Sequence, residues 1–265
     1  MSDLLFEKDG HIVTLTINRP DARNPLGEEG DGDLFAEACA RINADRDVRC
    51  AILTGAGKAF SAGGNLKSMR ERSGTFSGVG VHIRERYRNG IHRLVKALWH
   101  LEVPLIAAVN GAAIGLGNDV ACLADMRIAA DTAVFGATFL KIGLVPGDGG
   151  AWILPRTIGM ARAAELFFTG DTISADVALA WGLVSKVVPA DWLMGEAKAM
   201  AARVCRQPPD VLRMTKKLMR EGQGVSFDTI MEMSAAMQSL AHLTADHGEA
   251  VAAFFDKRAG VFKGE

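Results

Sequence analysis

Pro104-Leu-Ile-Ala-Ala-Val-Asn-Gly-Ala-Ala-Ile-Gly-Leu-Gly-Asn118 decides how this 265-residue chain is read. Residues 104–109 form an unbroken apolar run of strand length, and such a run without alternation reads as a strand covered on both faces of a parallel sheet. The run ends at Asn110-Gly111 and continues in small residues, so the backbone of the loop is nearly bare. A second loop of this kind lies upstream, where the buried strand Val48-Arg-Cys-Ala-Ile-Leu-Thr54 feeds Gly55-Ala-Gly-Lys-Ala-Phe-Ser-Ala-Gly-Gly-Asn65. Small residues let a backbone approach a ligand closely, and amides opening a following helix point outward with a favourable dipole. Loops so built bind anions or a developing oxyanion. Glycine-rich turns also serve as plain connections in α/β proteins; two in one chain favour a site.

Outward from these loops, Val13, Leu15 and Ile17 alternate with Thr14, Thr16 and Asn18 after a Lys8-Asp9-Gly10-His11 turn, which predicts a β-hairpin. Leu34, Phe35, Ala38 and Ile42 have helical spacing. Strand, helix, strand predicts a parallel α/β sheet. Residues 55–80 are rich in Gly, Ser and Lys and lead into one long amphipathic helix with Ile83, Tyr87, Ile91, Leu94, Val95 and Leu98 on its apolar face. A further strand is expected over 125–130, followed by a loop with Phe135 and Gly136. From Gly149 onward helical windows dominate, at 150–169, 174–181, 191–206, 209–221 and 226–256, with one strand at 183–188. The expected organisation is an α/β core over 1–200 and a helical region over 201–265, punctuated by Gln207-Pro-Pro209. No internal repeat is apparent.

Composition removes several classes. With 49% apolar and 23% charged residues the chain is globular, and 30 Lys+Arg against 31 Asp+Glu leave no bulk field for nucleic acid or anionic lipid. The nearly uncharged stretch 103–118 is too short and too interrupted to span a bilayer. Cys39, Cys50, Cys122 and Cys205 form no C-x-x-C pair, and the charged start MSDLLFEKDG resembles no secretory signal, so a reducing, cytoplasmic setting is expected. Gly115-Leu-Gly117 lacks the third glycine and the first-strand position of a dinucleotide fingerprint. No phosphate-loop lysine motif, nucleophile elbow or H-E-x-x-H occurs, and His242 with Asp246 and His247 suits a solvated helix end better than a metal. His82, His92 and His100 read as surface or core residues.

The chain resembles the crotonase superfamily of enoyl-CoA hydratases and isomerases. The resemblance rests on Ile17-Asn-Arg-Pro20 with Asn24, Leu53-Thr-Gly55, Lys58-Ala-Phe-Ser-Ala-Gly-Gly-Asn-Leu-Lys67, Pro104 to Gly111, Ala124-Asp-Met-Arg-Ile-Ala129, Gly143-Leu-Val-Pro-Gly-Asp-Gly-Gly150, Leu154-Pro-Arg156, Thr169-Gly-Asp171, Ala180-Trp-Gly-Leu-Val184 and Lys257-Arg258 with Phe262. It implies an α/β fold, a crotonase-like ββα spiral core with a helical C-terminal trimerisation region, assembled as a homotrimer or homohexamer. It also implies an acyl-CoA substrate and no separate cofactor, coenzyme A being part of the substrate; neither nucleic acid nor membrane is an expected partner. The shared step of the family is a thioester enolate, whose oxygen the amides of Gly64 and Leu116 would hold. Ala22, Arg23 and Asn24, with Ala62, Gly63, Asn65, Leu66 and Lys67, would line the coenzyme A path, and Lys257 would meet its phosphates.

The resemblance departs from the hydratase pattern at the acids. Of the two glutamates typical of hydratases, the first is matched by Asp119 and the second by Phe139, which transfers no proton and is expected to pack on the acyl chain or the core. Asp148 is the candidate replacement, one residue beyond the place where some relatives carry a carboxylate, which is Gly147 here. Both aspartates also read as helix caps. Hydration needs a base for water and an acid for the α-carbon, which Asp119 and Asp148 together would supply. A Δ3,Δ2-enoyl-CoA isomerase, or other enolate chemistry such as thioester hydrolysis or decarboxylation, needs only one, for which Asp119 alone would suffice. A non-catalytic CoA-binding or RNA-associated scaffold is the alternative outside enzymes. The reading favours enoyl-CoA hydration.

Overall fold

The computed structural model describes residues 2–265. It opens with the expected hairpin, β1 (Leu4–Asp9) and β2 (Ile12–Ile17), Leu4 pairing with Ile17 across the turn. After the short strand β3 (Pro25–Leu26), helix α1 (Asp31–Ala44) buries Phe35, Cys39 and Ile42 along one stripe.

Three units then follow one plan. In the first, β4 (Cys50–Gly55) leads to β5 (Ala59–Ser61) and β6 (Gly63–Gly64), then to helices α2 (Leu66–Glu71), α3 (Gly80–Asn89) and α4 (Ile91–Trp99). In the second, β7 (Leu105–Val109) and β8 (Ala112–Ile114) precede α5 (Leu116–Leu123). In the third, β9 (Met126–Ala130) and β10 (Val134–Gly136) precede α6 (Gly150–Ile158) and α7 (Met160–Thr169). The chain continues through β11 (Thr172–Ser174), α8 (Ala175–Ala180), β12 (Lys186–Val188), α9 (Leu193–Cys205), α10 (Pro209–Glu221), α11 (Phe227–His242) and α12 (Ala245–Asp256).

The long strands order as β1-β2-β4-β7-β9-β12 in one sheet, parallel beyond the hairpin, and the short ones as β11-β10-β8-β5 in a second. The chain therefore does repeat, contrary to the reading of the sequence. The units share a path and not residues, and strands of three residues are too short for a period to show. Both faces of the large sheet are covered, which explains its unbroken apolar strands. Ala51, Leu53, Leu105, Ala107 and Val109 face the main core, whereas Cys50, Ile52, Ile106 and Ala108 pack on Leu193, Ala197 and Ala201 of α9.

Two long helical readings are divided. The 83–98 helix breaks at Gly90 into α3 and α4, and the 150–169 window breaks at Gly159 into α6 and α7, each at the residue with poor helical propensity. The 226–256 window turns at Thr244, whose side chain accepts the amide of His247 and starts α12.

Helix α10 is fastened to the core by cations one to two turns apart. Arg213 donates to Glu102 and to the carbonyls of Asn43, Asp45 and Val48; Lys216 reaches the Val103 carbonyl at 2.8 Å and Asp125 at 2.7 Å. Arg220 bonds the other Asp125 oxygen at 2.6 Å and stacks over Trp99. Among the described residues no helix is long and apolar enough to cross a membrane.

The two glycine-rich loops meet at the carboxyl ends of β4 and β7, where α5 begins against β5. A Cβ on Gly117 would sit 2.4 Å from the Ser61 carbonyl oxygen, and one on Gly63 would sit 2.5 Å from that of Ile114. Backbone meets backbone here, so only glycine fits. Gly117→Ala is expected to cost about 1–3 kcal/mol through overpacking, read as a lowered Tm; an unchanged Tm would show that the loops can part without strain.

Candidate active site

Where the loops meet, a chamber of about 110 Å³ opens, lined by Gly63, Gly64, Leu116, Phe139, Tyr87 and Asp148 among others. Ala62 and Leu66 also face it. Leu66, Met69, Phe76, Tyr87, Ile142 and Leu144 continue outward into an apolar groove of about 850 Å³ with Arg70 and Arg72 at its rim. The shape is a narrow inner end on a wide apolar approach, as small-molecule sites commonly have.

Leu116 is the first residue of α5, so its N–H has no acceptor within that helix, and the helix dipole favours negative charge before it. The position of a Cβ on Gly63 lies 3.5 Å from this nitrogen, which brings β6 alongside the helix start. Gly64, next in β6, lines the chamber from the facing side. The Phe139 ring lies against Gly115, within 3.8 Å of where a Cβ there would sit.

The acids occupy different depths. Asp148 is 5% exposed and lines the chamber; its Oδ1 is buried without a hydrogen-bond partner, and burial pushes its pKa up to about 6. It caps nothing, since helix α6 starts after Gly149 with no side-chain cap. Asp119 is 1% exposed and stands behind it on α5. Its Oδ2 accepts the Gly150 amide at 3.0 Å, the first amide of α6, while Oδ1 is buried and unpartnered. Asp119 thus serves a neighbouring helix and not its own. A Cβ on Gly150 would lie 2.3–2.5 Å from this carboxyl group, which is why the position is glycine. Burial first, and the charge of Asp148 second, push the Asp119 pKa up to about 8 against the opposing Gly150 bond and the neighbouring Asn118 side chain. Beside them Asn118 is wholly buried with both amide atoms unpartnered.

The structure brings Gly64, Leu116, Ala62, Gly63, Leu66, Phe139 and Asp148 to one chamber. The exposed Ala22 and Arg23 lie beside it, the Arg23 carbonyl accepting the Ala62 amide at 2.9 Å, and Lys67 is exposed at the start of α2. Two predicted side chains are already spent. Asn24 is fully buried, donating to the Ala56 and Ala59 carbonyls and accepting the Arg19 amide. Asn65 accepts the amides of Lys67 and Ser68 as the cap of α2 and donates to Glu28. These residues shape the loops instead of offering their side chains to a ligand. Lys257 ends α12, and the tail beyond it is bound at Phe262 by Arg49, just before β4 and so at the end of the sheet away from the chamber. Asp246 holds the amides of Lys263 and Gly264, so it does not join His242 and His247.

The sequence puts Tyr87 on an apolar helix face and His92 on the surface or in the core, yet Tyr87 lines the chamber and His92 bonds the Gly147 carbonyl beside Asp148. The available signal was that the one tyrosine of the chain puts a hydroxyl on an apolar helix face.

Two mainly parallel sheets whose glycine-rich loops meet at a narrow chamber, with one buried carboxyl group lining it and a second behind, have the make-up of an α/β enzyme. The enoyl-CoA hydratase/isomerase family model matches residues 7–265. The chain is 35% identical over the full length of both proteins to 1,2-epoxyphenylacetyl-CoA isomerase of Escherichia coli, and 35% identical to short-chain-enoyl-CoA hydratase of Clostridium acetobutylicum over 97% of this chain and 96% of that one. It superposes on the crystal structure of an enoyl-CoA hydratase from Bacillus anthracis with a TM-score of 0.92 and 33% identity over all of both chains. The chain belongs to the enoyl-CoA hydratase/isomerase family, and its fold is the crotonase fold.

Asp119 also sets a pH dependence of stability. Folded, it stays neutral up to about pH 8; unfolded, it ionises near its ordinary 3.8. The native state therefore binds more protons across that window and loses stability as pH rises through it. Asp119→Asn stays neutral throughout, so its Tm relative to wild type is expected to climb between pH 5 and pH 8 and level off above. A constant offset would contradict the raised pKa.

Proposed function

We propose that the protein hydrates a trans-2-enoyl-CoA through a thioester enolate. The observation that carries the reading is that two buried carboxyl groups, each with an unpartnered oxygen, stand one behind the other at a chamber edged by a helix-start amide. Their pKa values are pushed apart, to about 6 and about 8, so near neutral pH one is ionised and the other protonated. Asp148, ionised and facing the chamber, takes a proton from water as its oxygen adds to the β-carbon. The thioester oxygen gains the charge and is held by the amides of Gly64 and Leu116. Asp148 passes a proton on to the α-carbon as Asp119, behind it, gives up its own, and a proton passing from Asp148 back to Asp119 resets the pair. Coenzyme A enters past Ala22, Arg23 and Ala62, and the acyl group extends toward Phe139 and the apolar groove. No further cofactor takes part.

Isomerisation is the second reading, favoured by the fact that Asp148 lines the chamber whereas Asp119 stands behind it. One chamber-facing acid suffices to move a double bond by taking a proton at one carbon and returning it at another. The similarity to a relative named as an isomerase, 1,2-epoxyphenylacetyl-CoA isomerase, keeps this reading beside hydration.

The helices α11 and α12 leave Phe227, Leu243, Phe254 and Phe255 largely exposed, which supports assembly with further copies as a trimer or a pair of trimers. A cytoplasmic setting accords with four free cysteines.

The test follows the loss of conjugated thioester absorbance with crotonyl-CoA and longer trans-2-enoyl-CoAs. Wild type is expected to give a bell-shaped profile of kcat/KM, rising near pH 6 and falling near pH 8. Asp148→Ala and Asp119→Ala should each lower kcat by about 10²- to 10⁴-fold. Absence of hydration, with a 3-enoyl-CoA converted in a reaction that survives Asp119→Ala, would replace hydration by isomerisation.

A further inference from the structure

The loop that presents Asp148 is nearly free of bonds to the rest of the protein. Before it, the Leu144 amide donates to the Phe139 carbonyl; after it, the Gly150 amide donates to Asp119. Between them, among the described residues, one hydrogen bond ties 145–148 to another element: His92 Nε2 donates to the Gly147 carbonyl at 2.8 Å. A carbonyl only accepts, so Nε2 carries the hydrogen, as it does in one neutral tautomer and in the imidazolium. The ring is itself held edge-on to Tyr87 with centroids 6.0 Å apart, and Tyr87 stands edge-on to Phe76 at 6.3 Å. The Tyr87 ring edge lies 3.8 Å from where a Cβ on Gly147 would be, so the two rings flank the loop.

Gly147, Gly149 and Gly150 surround Asp148 with the most freely rotating residues available. The Asp148 side chain makes no bond that would orient it. We propose that His92 is a positioning residue, holding the Gly147 carbonyl so that the carboxyl group of Asp148 stays aimed into the chamber. This rests on the reading of Asp148 as a proton-transfer group. Proton transfer is steep in distance, and a displacement of about 1 Å can cost on the order of 10²-fold in rate.

The experiment compares wild type, His92→Ala, His92→Gln, Asp148→Ala and the double variant His92→Ala/Asp148→Ala with crotonyl-CoA. His92→Ala is expected to lower kcat about 10- to 100-fold with KM nearly unchanged. His92→Gln, whose amide can donate to the same carbonyl, should recover most of the loss, and the double variant should be no slower than Asp148→Ala. A wild-type kcat in His92→Ala, or a loss that adds in full to that of Asp148→Ala, overturns the proposal. Wild-type turnover in Asp148→Ala instead removes the role of Asp148 itself, and the positioning role goes with it; the two failures are thereby distinct. Carboxyl-carbon NMR reads the tether without any turnover. In His92→Ala the Asp148 titration should move from about 6 toward the ordinary 3.8 as water reaches a loosened loop, and an unmoved titration overturns the proposal.

Discussion

The site depends on two backbones that touch. Gly117 at the start of α5 lies on the Ser61 carbonyl and Gly63 lies on that of Ile114, in each case at a distance that no Cβ would tolerate. This contact places the first amide of α5 alongside β6. It also fixes how deep Asp119, one turn into α5, sits behind the loop of residues 144–149. The apolar sheets supply the free energy of the fold by burial, and they deliver two loops that nothing bulkier than hydrogen separates.

Burial then does chemical work on the acids. A carboxylate in an apolar surround is disfavoured, which pushes Asp148 up to about 6, and the charge of Asp148 adds to burial in pushing Asp119 up to about 8. The Gly150 amide keeps Asp119 in place at a cost to its basicity. Phe139 keeps one wall of the chamber apolar, and the carboxyl group that lines it belongs to Asp148, in the loop before α6.

Much of this was legible in the sequence, and what was not has physical causes. Strands with both faces covered announce themselves as apolar runs, so 48–54 and 104–109 were readable, and the bare loops after them meet at the chamber. Asp148 was reached through the resemblance, one residue beyond the place where some relatives carry a carboxylate. The short strands β5, β8 and β10 were not readable, because three residues carry no period and their partners lie about twenty to fifty residues away. Asn24 and Asn65 look like ligand-binding residues in a loop motif, yet their amides close the loops internally, a matter of hydrogen-bond partners that spacing does not reveal. His92 was the hardest to see, since its partner is a backbone carbonyl 55 residues on. Lys257 needed the path of the tail, which returns to Arg49 at the other end of the sheet.

The proposed hydration requires a protonated and an ionised carboxyl group to coexist beside the chamber near neutral pH. Infrared difference spectroscopy of the wild-type protein, with Asp119→Asn as the reference, tests it directly. A protonated carboxyl stretch that persists at pH 7, disappears near pH 8 and is missing from Asp119→Asn is the expected result. A spectrum without any protonated carboxyl above pH 5 would contradict the account.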